Sequence, residues 1–310
     1  MAGWMVVLTT WCVLVGAGCS SANAAKSSPG GTSIPGAIVD SRFFVGDPYT
    51  TVQSAMDAAK ANGGGIVLIP DGTYAGPTTF YSGVSLKAEH PSRPDLCVEA
   101  LGASGCPSPH ATTSSVILTY ASGLTITDIN NMGIVGITLD FSNSVAGNLT
   151  MAGVAQSNFD MTVNNCAVAT PCVIFQGSTA NNMNKNTFPY LGVAGGSEGI
   201  RFQPSSSGHS STVNQYGFVI IAELGAPSET YTALDFNALC DTNDFTDVGF
   251  YSGQAAANGV VFNSASTTTD EDANGITINN FWSTAINFTS GTGITFNPSS
   301  GNYIRTGVLN

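Results

Sequence analysis

Val173-Ile174-Phe175-Gln176 returns along the chain as Ile200-Arg201-Phe202-Gln203, Leu234-Asp235-Phe236-Asn237, Val260-Val261-Phe262-Asn263, Ile286-Asn287-Phe288-Thr289 and Ile294-Thr295-Phe296-Asn297. A small residue or a cysteine precedes every copy: Cys172, Gly199, Ala233, Gly259, Ala285 and Gly293. The first five copies are spaced 27, 34, 26 and 26 residues apart. In a strand the two ends of apolar-x-Phe share one face and the middle residue takes the other. Repetition at such intervals describes a coil of short parallel strands, with turns stacked about 4.8 Å apart so that like residues lie above like. The Phe column fills the interior, and varied intervals mean loops of different length at fixed corners. The step from Ile286 to Ile294 is too short for a full turn, so those two copies are expected on neighbouring strands of one turn.

A second pattern, Asn-x-aromatic, runs between the first: Asn186-Thr187-Phe188, Asn214-Gln215-Tyr216, Asn243-Asp244-Phe245 and Asn279-Asn280-Phe281. Asn tolerates left-handed backbone, and stacked side-chain amides can bond along the coil, so these columns are expected at corners. A β-sandwich would show hairpin turns and longer in-out alternation. Here alternation lasts three or four residues before a corner. The expected class is therefore all-β, a parallel solenoid.

Composition agrees. Of 310 residues only 9% are charged and 36 are Gly, against roughly 25% charged in ordinary soluble domains. Helical bundles and coiled coils, which need Glu, Lys and Arg, are disfavoured. A net charge of −12 with 8 Lys and Arg argues against nucleic acid, whose phosphates require cations in number. A polyanionic ligand would need a bridging cation or a local basic site.

Residues 1–25 read as a signal peptide. The apolar stretch from Trp4 to Ala17 is too short, and too interrupted by Thr9 and Thr10, for a membrane span. Two processing sites compete: Ala22-Asn23-Ala24 suits signal peptidase, and Gly16-Ala17-Gly18-Cys19 looks like a lipobox that would place a lipid anchor on Cys19. Residues 26–42 form a flexible linker and 43–310 the solenoid domain. A secreted or cell-surface protein permits disulfides, and Cys97/Cys106 and Cys166/Cys172 are the close pairs, leaving Cys240 odd.

Thr50 to Ala61 reads as a short amphipathic helix, capped by Thr50 or Thr51, with Val52, Ala55, Met56 and Ala59 on one face. Gly63-Gly64-Gly65 ends it, and Ile66-Val67-Leu68-Ile69 is a buried strand followed by the turn Pro70-Asp71-Gly72. An amphipathic helix there covers the open end of a solenoid. The run YTTVQSAMDAAKANGGGIVLIPDGTY, with Gly83-Val84-Ser85-Leu86 after it, resembles the opening of the pectate-lyase superfamily. The similarity covers Phe43 to Leu86 by motif and the remainder by repeat style. It implies a right-handed parallel β-helix with substrate lying along one outer face. Polygalacturonases of that group carry Asn-Thr-Asp, Asp-Asp and Gly-His-Gly motifs, none intact here; Gly208-His209-Ser210 is the nearest fragment.

The outward places of the Phe repeat are Ile174, Arg201, Asp235, Val261 and Asn287. Arg201 and Asp235 fall about 5 Å apart on adjacent turns. A base or charge stabiliser beside a carboxylate could abstract a proton α to a uronate or protonate a glycosidic oxygen; a surface ion pair is the plain alternative. Asp241, Asp244 and Asp247 in CDTNDFTD, with Asp270-Glu271-Asp272 one turn later, could offer oxygens to Ca²⁺; Asp241, Asp270 and Asp272 are the expected ligands, against a merely solvated acidic corner. Tyr49, Tyr74, Tyr81, Tyr190, Tyr231, Tyr251 and Trp282 are candidate stacking aromatics, Trp282 foremost because Phe281 before it points inward; Asn287 joins Trp282 as a substrate-binding candidate.

The expected function is polysaccharide cleavage, by uronate lyase or glycoside hydrolase chemistry, on an outer face of the coil. The alternative is a non-catalytic adhesin, glycan-binding or tailspike-like protein, monomeric or trimeric.

Overall fold

The computed structural model describes residues 42–46, 48–93, 96–97, 110–111, 114–142, 144–205, 209, 211–223, 231–237, 243–251, 258–262, 275–283, 294–296 and 303–304. For 96–97, 110–111, 251, 262, 275–283, 294–296 and 303–304 it describes the backbone alone. The expected signal peptide, the Cys19 site and the linker lie outside these residues, except that Arg42 opens the first strand.

The helix α1 spans Val52–Ala61 and buries Val52, Ala55, Met56 and Ala59, the face read from the sequence. Thr51 is its cap: its Oγ1 accepts from the Ser54 amide at 3.0 Å, and its own amide donates to Ser54 Oγ at 3.2 Å. Gly63, Gly64 and Gly65 follow with φ of 87°, 121° and 148°. A Cβ on Gly64 would lie 2.6 Å from the Gly83 carbonyl oxygen, so only glycine fits that close approach.

From here the chain coils through two parallel sheets. The long sheet runs Arg42–Phe44, Gly65–Ile69, Val84–Ala88, Gly133–Asp140, Asn158–Cys166, Thr187–Gly195, Gln215–Ala222, Asn243–Tyr251, Gly275–Ser283 and Tyr303–Ile304. Gly72–Ala75 and Val116–Thr119 join it at Gly133–Asp140. The short sheet runs Leu124–Thr127, Leu149–Ala152, Pro171–Gln176, Glu198–Gln203, Thr232–Phe236, Asn258–Phe262 and Ile294–Phe296. Together they make a parallel β-solenoid of about six turns. Among the described residues the sole antiparallel pair is Leu96–Cys97 with His110–Ala111, as a solenoid rather than a sandwich requires. No helix among them is long and apolar enough to cross a membrane.

The register confirms the first repeat. Val173, Ile200, Leu234 and Val260 pair in succession, and so do Phe175, Phe202, Phe236 and Phe262. The next place in the column belongs to Ile294-Thr295-Phe296, with Thr295 opposite Val261. Ile286-Asn287-Phe288 lies outside the described residues. Two aromatic ladders face one another across the core. On the short-sheet side Phe202 stacks on Phe236 at 4.7 Å, and on the long-sheet side Phe188, Tyr216 and Phe245 follow at 4.8 and 4.3 Å. The ladders meet edge to face, Phe202 with Tyr216 and Phe236 with Phe245, both at 6.1 Å, the geometry ring quadrupoles prefer.

The second repeat forms a buried amide ladder. Asn214 Nδ2 donates to Asn243 Oδ1 at 3.0 Å, Asn186 Nδ2 donates to Asn214 Oδ1 at 2.9 Å, and the Ser157 amide donates to Asn186 Oδ1 at 3.1 Å. The fourth copy departs from expectation. Ile276 takes the place opposite Asn243, and Phe281 pairs with Val248 three positions further along, so Asn279 is not a rung of the ladder. Cys166 and Cys172 are disulfide-bonded, closing the corner between a long and a short strand.

Candidate functional site

Arg201 and Asp235 are partners across adjacent rungs of the short sheet, as the repeat predicts, with Arg201 Nε 3.2 Å from Asp235 Oδ2. The sequence reading missed a third member. Glu198, three residues before Arg201, takes a fork from the same guanidinium: Nε donates to Oε2 at 2.8 Å and an Nη donates to Oε1. Nothing in the repeat flags Glu198, because it stands before the Ile-x-Phe segment, where the strand leaves its corner.

The cluster is sheltered. Side-chain exposure is 29% for Arg201, 16% for Glu198 and 4% for Asp235. Burial raises the Glu198 carboxyl above its ordinary value; Arg201 pulls it back, and the neighbouring Asp235 pushes it up again. Behind the cluster Tyr231 is fully buried and donates its hydroxyl to the Gly195 carbonyl at 3.2 Å. Burial, with Glu223 and Glu198 nearby, holds that hydroxyl well above the usual tyrosine range. The arrangement is two carboxyl groups bridged by one guanidinium.

The other feature is a trough of about 650 Å³ on the outer face of the long sheet, lined by Thr187, Pro189, Gln215, Gly217, Asp244 and Thr246 over the buried Phe188 and Tyr216. Its first row, Thr187–Gln215–Asp244, is in register on three turns. Beside it each strand carries one extra residue relative to Asn158–Cys166, since Asn158 faces Thr187 but Asp160 faces Tyr190. Pro189, Gly217 and Thr246 occupy that bulge, where proline's missing N–H is tolerated. A Cβ on Gly217 would meet the Pro189 carbonyl oxygen at 2.7 Å. The next row places Asp160, Tyr190, Phe218 and Asp247 in register. Tyr190 and Phe218 stack at 6.1 Å, and Arg93 lies over Tyr190 at 5.6 Å with its guanidinium 2.9 Å from Asp160. The signal for this trough was present: Thr187, Gln215 and Asp244 are the middle residues of Asn-x-aromatic, outward by the logic that selected Arg201.

Other expected residues fall differently. Asp244 and Asp247 sit inside the strand Asn243–Tyr251 rather than at a corner, because the long strand starts at Asn243. Asp241, Asp270, Asp272 and Asn287 lie outside the described residues. Among those described, no group of three His, Cys, Asp or Glu is placed to hold a metal ion. The backbone of Trp282 pairs with Gly249, and its side chain is not among those described. Tyr190 and Tyr231 are buried, not exposed platforms: Arg93 covers the first, and the second packs inward against Phe250. Tyr74 donates to the Pro70 carbonyl and Tyr81 to Asp57. His209 Nδ1 meets Asn182 Oδ1 at 3.2 Å at a corner. No protein-family model, curated protein or solved structure matches the chain.

Proposed function

We propose that this is an exported carbohydrate-handling protein that holds a saccharide chain along the outer face of its long sheet. The observation that carries the reading is the trough: hydroxyl, amide and carboxylate groups of Thr187, Gln215, Asp244 and Thr246 recur on successive turns, spanning about 10 Å over three rungs. Evenly spaced hydrogen-bonding groups suit a ligand that is itself a repeat. The helix-capped parallel coil supports a place in the pectate-lyase superfamily, and the Cys166–Cys172 bond accords with an oxidising compartment. Retention of the mature protein on a panel of immobilised polysaccharides, lost in a Gln215→Ala, Thr246→Ala double variant that keeps its thermal midpoint, tests the reading. Retention that survives the double variant contradicts it.

A second reading is cleavage at the short sheet, favoured by the raised Glu198 carboxyl beside Asp235. Glu198 would give a proton to the glycosidic oxygen as that C–O bond breaks, a water would supply the new oxygen at the anomeric carbon and pass its proton to Asp235, and Arg201 would hold both side chains. Because Arg201 donates to both carboxylates, its role there is charge stabilisation rather than proton abstraction. New reducing ends that disappear in Glu198→Gln would establish hydrolysis, whereas unsaturated products lost in Arg201→Ala would establish a lyase. A Ca²⁺ requirement would fall on Asp241, Asp270 and Asp272, so the assay is run with and without the ion.

A further inference from the structure

We infer that the trough takes a neutral saccharide chain and excludes a polyuronate. The inference rests on the carbohydrate reading above and names the substrate class of that same site. Asp244 is the one charged residue lining the trough, and it is exposed, with no side-chain hydrogen bond or ion pair among the described residues. Asp247 stands in the adjoining row, in register with Phe218. Arg93, the cation over the row beside the trough, is already engaged: its Nε and Nη donate to Asp160 at 3.2 and 2.9 Å, and Lys87 stands in that row several rungs earlier. Lys185 is exposed at the corner before Thr187, and its amide donates to the Val213 carbonyl. Among the described residues no ion pair joins Lys185 to Asp244, so the carboxylate in the trough keeps its charge uncompensated. A uronate chain laid along the rungs would bring its own carboxylate against Asp244, and like charges at that range disfavour binding about tenfold. Sugar hydroxyls meet the same surface as donors to Asp244 and as partners for Gln215, Thr187 and Thr246, with the half-buried Phe218 as an apolar neighbour.

The test is calorimetric titration of the full mature chain at physiological ionic strength, in chelator and again with added Ca²⁺. The probes are neutral hexasaccharides of glucose, xylose and mannose, hexagalacturonate, and hexaglucosamine. The expected result is binding of at least one neutral chain about tenfold or more tighter than hexagalacturonate. Asp244→Asn and, independently, Gln215→Lys should narrow that gap by strengthening hexagalacturonate binding. Glu89→Gln, an exposed carboxylate on an earlier turn, should leave it unchanged. Equal or tighter binding of hexagalacturonate, in either condition, overturns the assignment while the carbohydrate reading stands. Preference for the cationic hexaglucosamine overturns it likewise, in favour of an amine partner for Asp244. A gap that neither variant narrows also overturns it. Binding of none of the probes is the separate failure of the carbohydrate reading itself.

Discussion

Val213 holds a left-handed backbone, φ 53°, in a corner column it shares with Asn131, Gln156 and Lys185 at 54°, 53° and 55°. A β-branched side chain is poorly suited to that conformation, and Val213 is largely exposed, so it gains little from packing. Val213→Asn is expected to raise stability by about 1 kcal/mol, read as a higher denaturant midpoint at unchanged slope. Asn214 lies at the opposite extreme. It accepts from Asn186 and donates to Asn243, Ser211 and Met183, so Asn214→Leu strands several buried groups and should cost about 3 kcal/mol in the same measurement. Glu198 makes stability depend on pH. Its carboxyl is raised in the folded chain, so its contribution is fully present below the ordinary glutamate range and is lost as pH rises through the raised value. Stability curves of wild type and Glu198→Gln should therefore diverge across that interval, the wild type losing stability relative to the variant; parallel curves would show that Glu198 does not set this pH dependence.

At the scale of elements, α1 and its buried face were legible because their signals are local, a threonine cap, a 3.6-residue apolar period and a glycine stop, and the structure chooses Thr51 over Thr50 as the cap. Thr51→Ala should cost about 1 kcal/mol, measured as a lower thermal midpoint, because it removes one partner of a reciprocal cap. The Phe column was equally legible, since its spacing survives in register from Val173 to Val260. Its continuation was not: Ile286 and Ile294 carry the same motif, and only backbone pairing separates them, giving Ile294 the rung. The first row of the trough was signalled by Asn-x-aromatic, but its depth was not. It depends on one extra residue per strand at Pro189, Gly217 and Thr246, and a bulge leaves no mark on apolar periodicity. Gly217→Ala would push against the Pro189 carbonyl, so it should lower saccharide affinity severalfold while leaving the far-ultraviolet circular dichroism unchanged.

Across the whole molecule, two outer faces carry different chemistry because one winding serves two sheets. The short sheet concentrates charge in a sheltered cluster, with Glu198 and Asp235 both on Arg201. The long sheet leaves its polar rows open along the coil. The low charged fraction anticipated a sparsely charged surface, and the Phe repeat anticipated the Arg201–Asp235 pair. Neither says which sheet carries the open trough. A saccharide chain held in the long-sheet trough would protect the amides of the strands beneath it. Amide hydrogen exchange of the full chain, with and without a saturating neutral oligosaccharide, tests it most directly. Slowed exchange confined to residues 187–188, 215–217 and 244–246 is the predicted result. Slowing confined to 198–203 and 231–237 would contradict it and transfer the function to the Glu198–Arg201–Asp235 cluster.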